Sequence, residues 1–96
     1  MTSKERAALR ARANSIEALF QIGKAGLSPQ FITQIDDALR ARELIKISVL
    51  ENSPEKAREA AQAIAGATDS QAVQVIGRKI TLYRYNPELH GQNKSK

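Results

Sequence analysis

The chain has no cysteine and no tryptophan, only two Phe and two Tyr, and a single histidine in 96 residues. Each shortage closes a class of explanation. Without cysteine there is no disulfide framework, no thiol nucleophile and no Cys-ligated zinc site. Four aromatic side chains argue against a broad aromatic stacking platform. The lone His90 stands in a polar C-terminal stretch, a poor place for a preorganised general base. No apolar run is long enough to span a bilayer, and the start Met-Thr-Ser-Lys-Glu-Arg has no apolar segment behind it. The expectation is a soluble cytoplasmic protein. Acidic residues are also the minority: 10 Asp and Glu stand against 15 Lys and Arg, a formal charge of +5. That excess favours polyanionic partners.

What is present is one domain's worth of chain, punctuated by a basic glycine loop. Ala18-Leu19-Phe20-Gln21-Ile22 reads as a short strand, and Gly23-Lys24-Ala25-Gly26 follows it directly. Leu27 comes next, then Ser28-Pro29, an N-cap residue with proline at the first helical position. A strand therefore runs through a glycine loop into a helix. Glycine lacks a Cβ, so bare backbone can approach an anion there. The helix is expected to add unpaired N–H groups and the positive end of its dipole. Lys24 adds a full charge at the tip. A phosphate is the natural ligand. The spacing is neither that of a Walker loop nor that of the dinucleotide fingerprint, which disfavours mononucleotide chemistry.

Elsewhere the pattern alternates helix and strand. Thr2 and Glu5 have the spacing of a capping box, and a helix is expected from there to about Ala13. Phe31, Ile32, Ile35, Ala38 and Leu39 form one buried stripe, which predicts a helix from Pro29 to about Arg42. Leu44–Leu50 reads as a strand with Ile45, Ile47 and Val49 on one face and Lys46 and Ser48 on the other. Ser53-Pro54 repeats the earlier cap signature, so a helix is expected there, to about Ala65, closed by Gly66. Ala72–Ile76 and Ile80–Tyr85 read as a hairpin around Gly77-Arg78-Lys79. Residues 1–86 thus form the domain, and residues 87–96 read as a polar flexible tail.

Arg40, Arg42, Lys46, Arg78, Lys79 and Arg84 are candidates for a phosphate-contacting surface, with Arg40 and Arg42 also suited to complement a helix C-terminus. Tyr83 and Tyr85 are two apart and share a strand face, from which they can stack on bases or pack at an edge. Asp36 and Asp37 are adjacent on a helix and diverge, so they are not a carboxylate pair. No metal-ligand or Ser/His/Asp spacing is visible, and neither a catalytic residue nor a cofactor is expected.

Phe20-Gln21-Ile22-Gly23-Lys24-Ala25-Gly26-Leu27-Ser28, followed by Ala38-Leu39-Arg40-Ala41-Arg42-Glu43-Leu44-Ile45-Lys46-Ile47, resembles the CRM domain. This is the chloroplast RNA splicing and ribosome maturation module, found in bacteria as the stand-alone YhbY-type protein. The stretch from Val73 to Tyr85 also resembles the family's closing hairpin, and the likeness covers about residues 3 to 85. The family often has Gly and Pro between the first helix and first strand, whereas Ala13-Asn14-Ser15-Ile16-Glu17 has neither. The resemblance implies an α/β (α+β) fold in the order α-β-α-β-α-β-β, with a four-stranded mixed sheet and three helices. It implies likeness to the C-terminal domain of translation initiation factor three. It further implies a non-catalytic RNA-binding protein that acts on ribosomal RNA during large-subunit assembly; a monomer is the expectation. The family's G-x-x-G loop falls on Gly23, Lys24, Ala25 and Gly26, and with Ser28 these are the implied RNA contacts. A module that docks on an assembly factor or ribosomal protein, touching RNA little, is the competing reading. A small metabolic enzyme or nucleotide-binding regulator that uses the loop for a phosphate is the third.

Overall fold

The computed structural model describes residues 2–90. Its elements are α1 (Ser3–Ala13), β1 (Phe20–Ile22), α2 (Pro29–Arg42), β2 (Leu44–Val49), α3 (Ala57–Thr68), β3 (Gln71–Ile76) and β4 (Lys79–Tyr83). The expected α/β order and four-stranded mixed sheet are both found. The strands lie in the order β1-β2-β4-β3, with β1 parallel to β2 and the other pairs antiparallel.

Register divides the sheet into two faces. Phe20, Ile22, Ile45, Ile47, Ile80 and Leu82 share the inner face, where α2 and α3 supply Ile35, Leu39, Ala60, Ala61 and Ile64. This is the main core, and Ile35, Leu39, Ile47, Ile64, Ile80 and Leu82 are wholly buried in it. The alanines of α3 let that helix sit close to the sheet. The outer face is only half covered. Leu9 of α1 packs there with Leu44 and Val73, beside Ile16 and Tyr83. Lys46, Ser48, Lys79 and Thr81 continue the same face beyond the helix.

Capping explains which helix bounds the sequence predicts. Thr2 and Glu5 form the reciprocal capping box of α1. Ser28 Oγ accepts from the Phe31 N–H at 3.1 Å, and α2 begins at Pro29. Ser53 does something else: its hydroxyl donates to the Glu55 carbonyl and accepts the Glu55 N–H, closing a local turn. So α3 begins later, at Ala57, without a side-chain cap. It also runs through Gly66 rather than stopping there, because Thr68 is buried and its hydroxyl donates to the Ile64 carbonyl at 2.8 Å. The stop is made by Asp69, at φ 54°.

β1 is shorter than its pattern, because Leu19 is exposed and only its N–H joins the sheet, donating to the Lys46 carbonyl. β3 carries an irregularity between Ala72 and Gln74, and Arg6 of α1 reaches it, donating to the carbonyls of Ala72 and Val73. The C-terminal expectation needs correction. Residues 87–90 are not a free tail: the Asn86 N–H donates to Glu43 Oε2 at 2.7 Å, and His90 Nε2 lies 2.9 Å from the same oxygen. The rest of the expected tail, residues 91–96, lies outside the described residues.

Candidate nucleic-acid interface

β1 and β2 are parallel, so both end on one side of the sheet. The β3–β4 turn comes to the same side, because the Val49 N–H donates to the Arg78 carbonyl at 2.7 Å. The glycine loop therefore neighbours the hairpin tip, although they are far apart in sequence. Within the loop, the Gly26 N–H donates to the Gly23 carbonyl at 3.0 Å and closes a turn. Lys24 and Ala25 stand exposed at its tip. Their backbone N–H groups make no hydrogen bond among the described residues. They are ready donors to an anion.

The two glycines do different jobs. Gly26 has φ 68°, and a Cβ there would lie 2.9 Å from Pro54 Cγ and 3.0 Å from Glu55 Oε1. Only glycine fits. A Cβ at Gly23 would meet Leu50 Cδ1 at 3.7 Å and Asn52 Oδ1 at 3.8 Å, which is ordinary contact. Gly23 is not required by space in the fold. Beneath Gly26, Glu55 Oε1 is buried without a hydrogen-bond partner among the described residues, a feature the sequence pattern does not signal. A carboxyl group on that side leaves the Lys24–Ala25 side as the approach for an anion.

The helix behind the loop offers less than its sequence suggests. Pro29 has no N–H, Ser28 caps that of Phe31, and the Ile32 N–H donates to the Ser28 carbonyl. Only the Gln30 N–H remains in the first turn. Ser28 thus serves the helix, and the donors for a ligand are mainly those of Lys24 and Ala25.

The remaining basic candidates fall into three groups. Arg78 and Lys79 line an open cleft beside the loop with Gln21, Ser48 and Asn52. Lys79 Nζ donates to Ser48 Oγ at 2.8 Å, and Arg78 makes one loose, exposed contact of 3.5 Å with Glu51. Arg42 and Lys46 line a second groove, and Arg12 of α1 joins them there with Ile16, Glu17 and Leu19. Arg12, Arg42 and Lys46 form no ion pair among the described residues. Helix α1 therefore contributes to the basic outer face, a juxtaposition that sequence spacing does not reveal.

The third group is engaged within the fold. Arg84 is internal: it donates to Asp36 Oδ1 at 2.6 Å, to the Thr68 carbonyl at 2.7 Å and to the Asp36 carbonyl at 3.0 Å. That hydrogen bond, reinforced by the charges of Arg84 and Arg40, holds the Asp36 carboxyl below the usual carboxylate range. Arg40 is paired with both Asp36 and Asp37 on the helix surface. Neither arginine is free to meet a phosphate without giving up a carboxylate.

His90 also departs from expectation. Its ring is bonded to Glu43 and stacked on Tyr85, with centroids 4.9 Å apart and planes 11° from parallel. Tyr83 is half-buried, and burial, with the nearby Glu43 carboxylate, raises its hydroxyl above the ordinary range. No cluster of three or more His, Asp or Glu side chains among the described residues is placed to hold a metal.

The model of the CRS1 / YhbY (CRM) domain matches residues 1–84, which takes in the loop, the sheet and all three helices. The chain belongs to the CRM domain family. Similar curated proteins include the probable RNA-binding protein YqeI of Bacillus subtilis, 43% identical over 88 residues, with 92% of each chain covered. A probable RNA-binding protein of Methanocaldococcus jannaschii is 37% identical over 86 residues, covering 88% of this chain and 63% of that longer one. The solution structure of a Staphylococcus aureus protein superposes on this CRM domain with a TM-score of 0.75 at 45% identity, covering 90% of both chains. In this CRM domain the Gly23–Gly26 turn presents two backbone N–H groups that make no hydrogen bond among the described residues, at the exposed tip that carries Lys24.

Proposed function

We propose that this CRM domain is a non-catalytic RNA-binding protein that grips the RNA backbone at the Gly23–Gly26 loop. The observation that carries this is the loop tip itself: two exposed N–H groups without partners, under the Lys24 charge and beside Arg78 and Lys79. Relatives named as RNA-binding proteins support the reading. The partner is ribosomal RNA during assembly of the large subunit, which is the process the family resemblance implies. The domain works there as a cytoplasmic monomer that brings no chemistry of its own. Contacts to phosphate position a protein without reading sequence, so specificity from the loop is weak and affinity falls steeply with salt.

The test is binding of a fluorescent ribosomal RNA fragment across a salt series. Wild type is compared with the Lys24→Asp, Ala25→Asp double variant, which keeps both glycines and places carboxylates at the tip. A steep salt slope in wild type, with most affinity lost in the folded variant, is the expected result. Equal binding by both proteins assigns the loop to the fold alone. If neither binds, and capture of partners from a lysate survives nuclease, the domain docks on protein instead.

A further inference from the structure

The outer face holds a second feature that the loop does not use. Beside α1, an open cleft of about 440 Å³ is lined by Ala8, Leu9, Arg12, Gln71, Tyr83 and Tyr85, with Glu5 also in its wall. It combines apolar walls and two phenol rings with a few polar groups, the composition of a site for a small planar ligand. Tyr85 is 50% exposed, and His90 already stacks in parallel against it. The Tyr83 hydroxyl makes no hydrogen bond among the described residues. Gln71 is exposed and brings both a donor and an acceptor. Arg12 lines this cleft and also the neighbouring groove of Arg42 and Lys46.

We propose that this cleft receives one unpaired nucleobase of the RNA, while the phosphates beside that base lie in the Arg42–Lys46 groove, with Arg12 at the shared wall. The inference rests on the RNA-binding reading above and extends it from backbone contact to recognition of a single-stranded nucleotide. A base in a duplex stays stacked and cannot enter. A base in a loop, bulge or end can be splayed out and stacked on an aromatic ring. Arg42 and Lys46, which form no ion pair among the described residues although Glu17 shares their groove, then neutralise the backbone that carries it. Two tyrosines in one cleft hold one base, so this is a single reading position rather than an aromatic platform.

The experiment uses an oligoribonucleotide with one 2-aminopurine flanked by uridines, and a hairpin duplex of matched length. Affinity is read by anisotropy and stacking by 2-aminopurine fluorescence. Wild type should bind the single strand with marked quenching. Tyr85→Ala removes a ring, and Ala8→Leu fills the cleft while keeping both rings. Both positions are exposed, so both variants should fold. Each should weaken single-strand binding about tenfold and abolish the quenching, in line with the worth of one base–aromatic stack. Duplex affinity should stay within about twofold, since a duplex is held by its phosphates. If wild type binds the single strand and neither variant changes affinity or quenching, the base site is overturned and the loop reading stands. If wild type binds neither RNA, the RNA reading itself falls and the base site with it.

Discussion

At the end of the sheet where β1 and β2 finish, Lys24, Arg78 and Lys79 lie on the same side as two backbone N–H groups that make no hydrogen bond among the described residues. At the opposite end, Arg84 and Arg40 are held by Asp36 and Asp37, and Glu43 collects the Asn86 N–H and the His90 ring. Both ends are rich in basic and polar groups. At one end carboxylates hold the arginines at 2.6 to 3.0 Å; at the other Arg78 has only a loose, exposed contact with Glu51 and Lys79 only a hydroxyl. A cation is open to a ligand where the fold has not already locked it onto a carboxylate. Fixed partners build rigidity, and unfixed ones leave capacity for a ligand.

The contrast is broken hardest at Gly26. Gly26→Ala forces a side chain into a positive φ and against Pro54, which should lower stability by about 3 kcal/mol, while Gly23→Ala should change it by less than about 1 kcal/mol. Chemical denaturation of both variants checks this, and equal losses would remove the distinction between the two glycines.

Next comes the internal end. Arg84→Met strips Asp36 and the Thr68 carbonyl of a charged donor and should cost about 2 kcal/mol. RNA affinity of the folded variant should remain that of wild type. The same substitution sharpens a pH test. Asp36 titrates lower in the folded than in the unfolded chain, so its contribution is present above the ordinary carboxylate range. It is lost as pH falls from that range through the lowered folded value. Melting curves across the acid limb should therefore be flatter in Arg84→Met than in wild type.

A smaller effect is expected at the open end. Lys79→Gln should lower RNA affinity severalfold, or about 1 kcal/mol, and reduce the salt slope by about one ion, with little change in melting temperature. The smallest belongs to Arg40→Gln. Its pairs with Asp36 and Asp37 are exposed, so stability should shift by no more than about 0.5 kcal/mol, measured by thermal melts in low and high salt. A large loss of RNA binding in this variant would mean that Arg40 leaves its carboxylates for phosphate.

How much of this was legible beforehand depends on how local the cause is. Helix α2 was read to its ends because Ser28, Pro29 and the apolar stripe all act within a few residues of one another. The same local signature misled at Ser53-Pro54, where the hydroxyl closes a turn on Glu55 and the helix waits for Ala57. Gly66 misled because burial of Thr68 carries the helix past a residue that favours stopping. The loop was legible as a turn at a helix start. Its shortage of helix donors follows from Pro29 and the Ser28 cap themselves and needed only accounting. The pairing of Arg84 with Asp36 spans 48 positions, and the meeting of Arg12 with Lys46 depends on how α1 crosses the sheet. Nothing in local periodicity encodes either.

The irregularity in β3 has a consequence beyond geometry. Gln71-Ala72-Val73-Gln74-Val75-Ile76 is uncharged, rich in β-formers and free of Gly and Pro, and it lies at the sheet's edge with Ile76 61% exposed. That is the composition of a segment that recruits copies of itself into cross-β stacks. The kink interrupts its straight run of hydrogen-bonding groups, and Arg6 occupies two of its carbonyls with a charged side chain. A strand so bent and so capped is a poor template for another. Helix α1 therefore guards the domain against self-association as well as roofing its outer face, and a chain that lost Arg6 would be the one to cloud on standing.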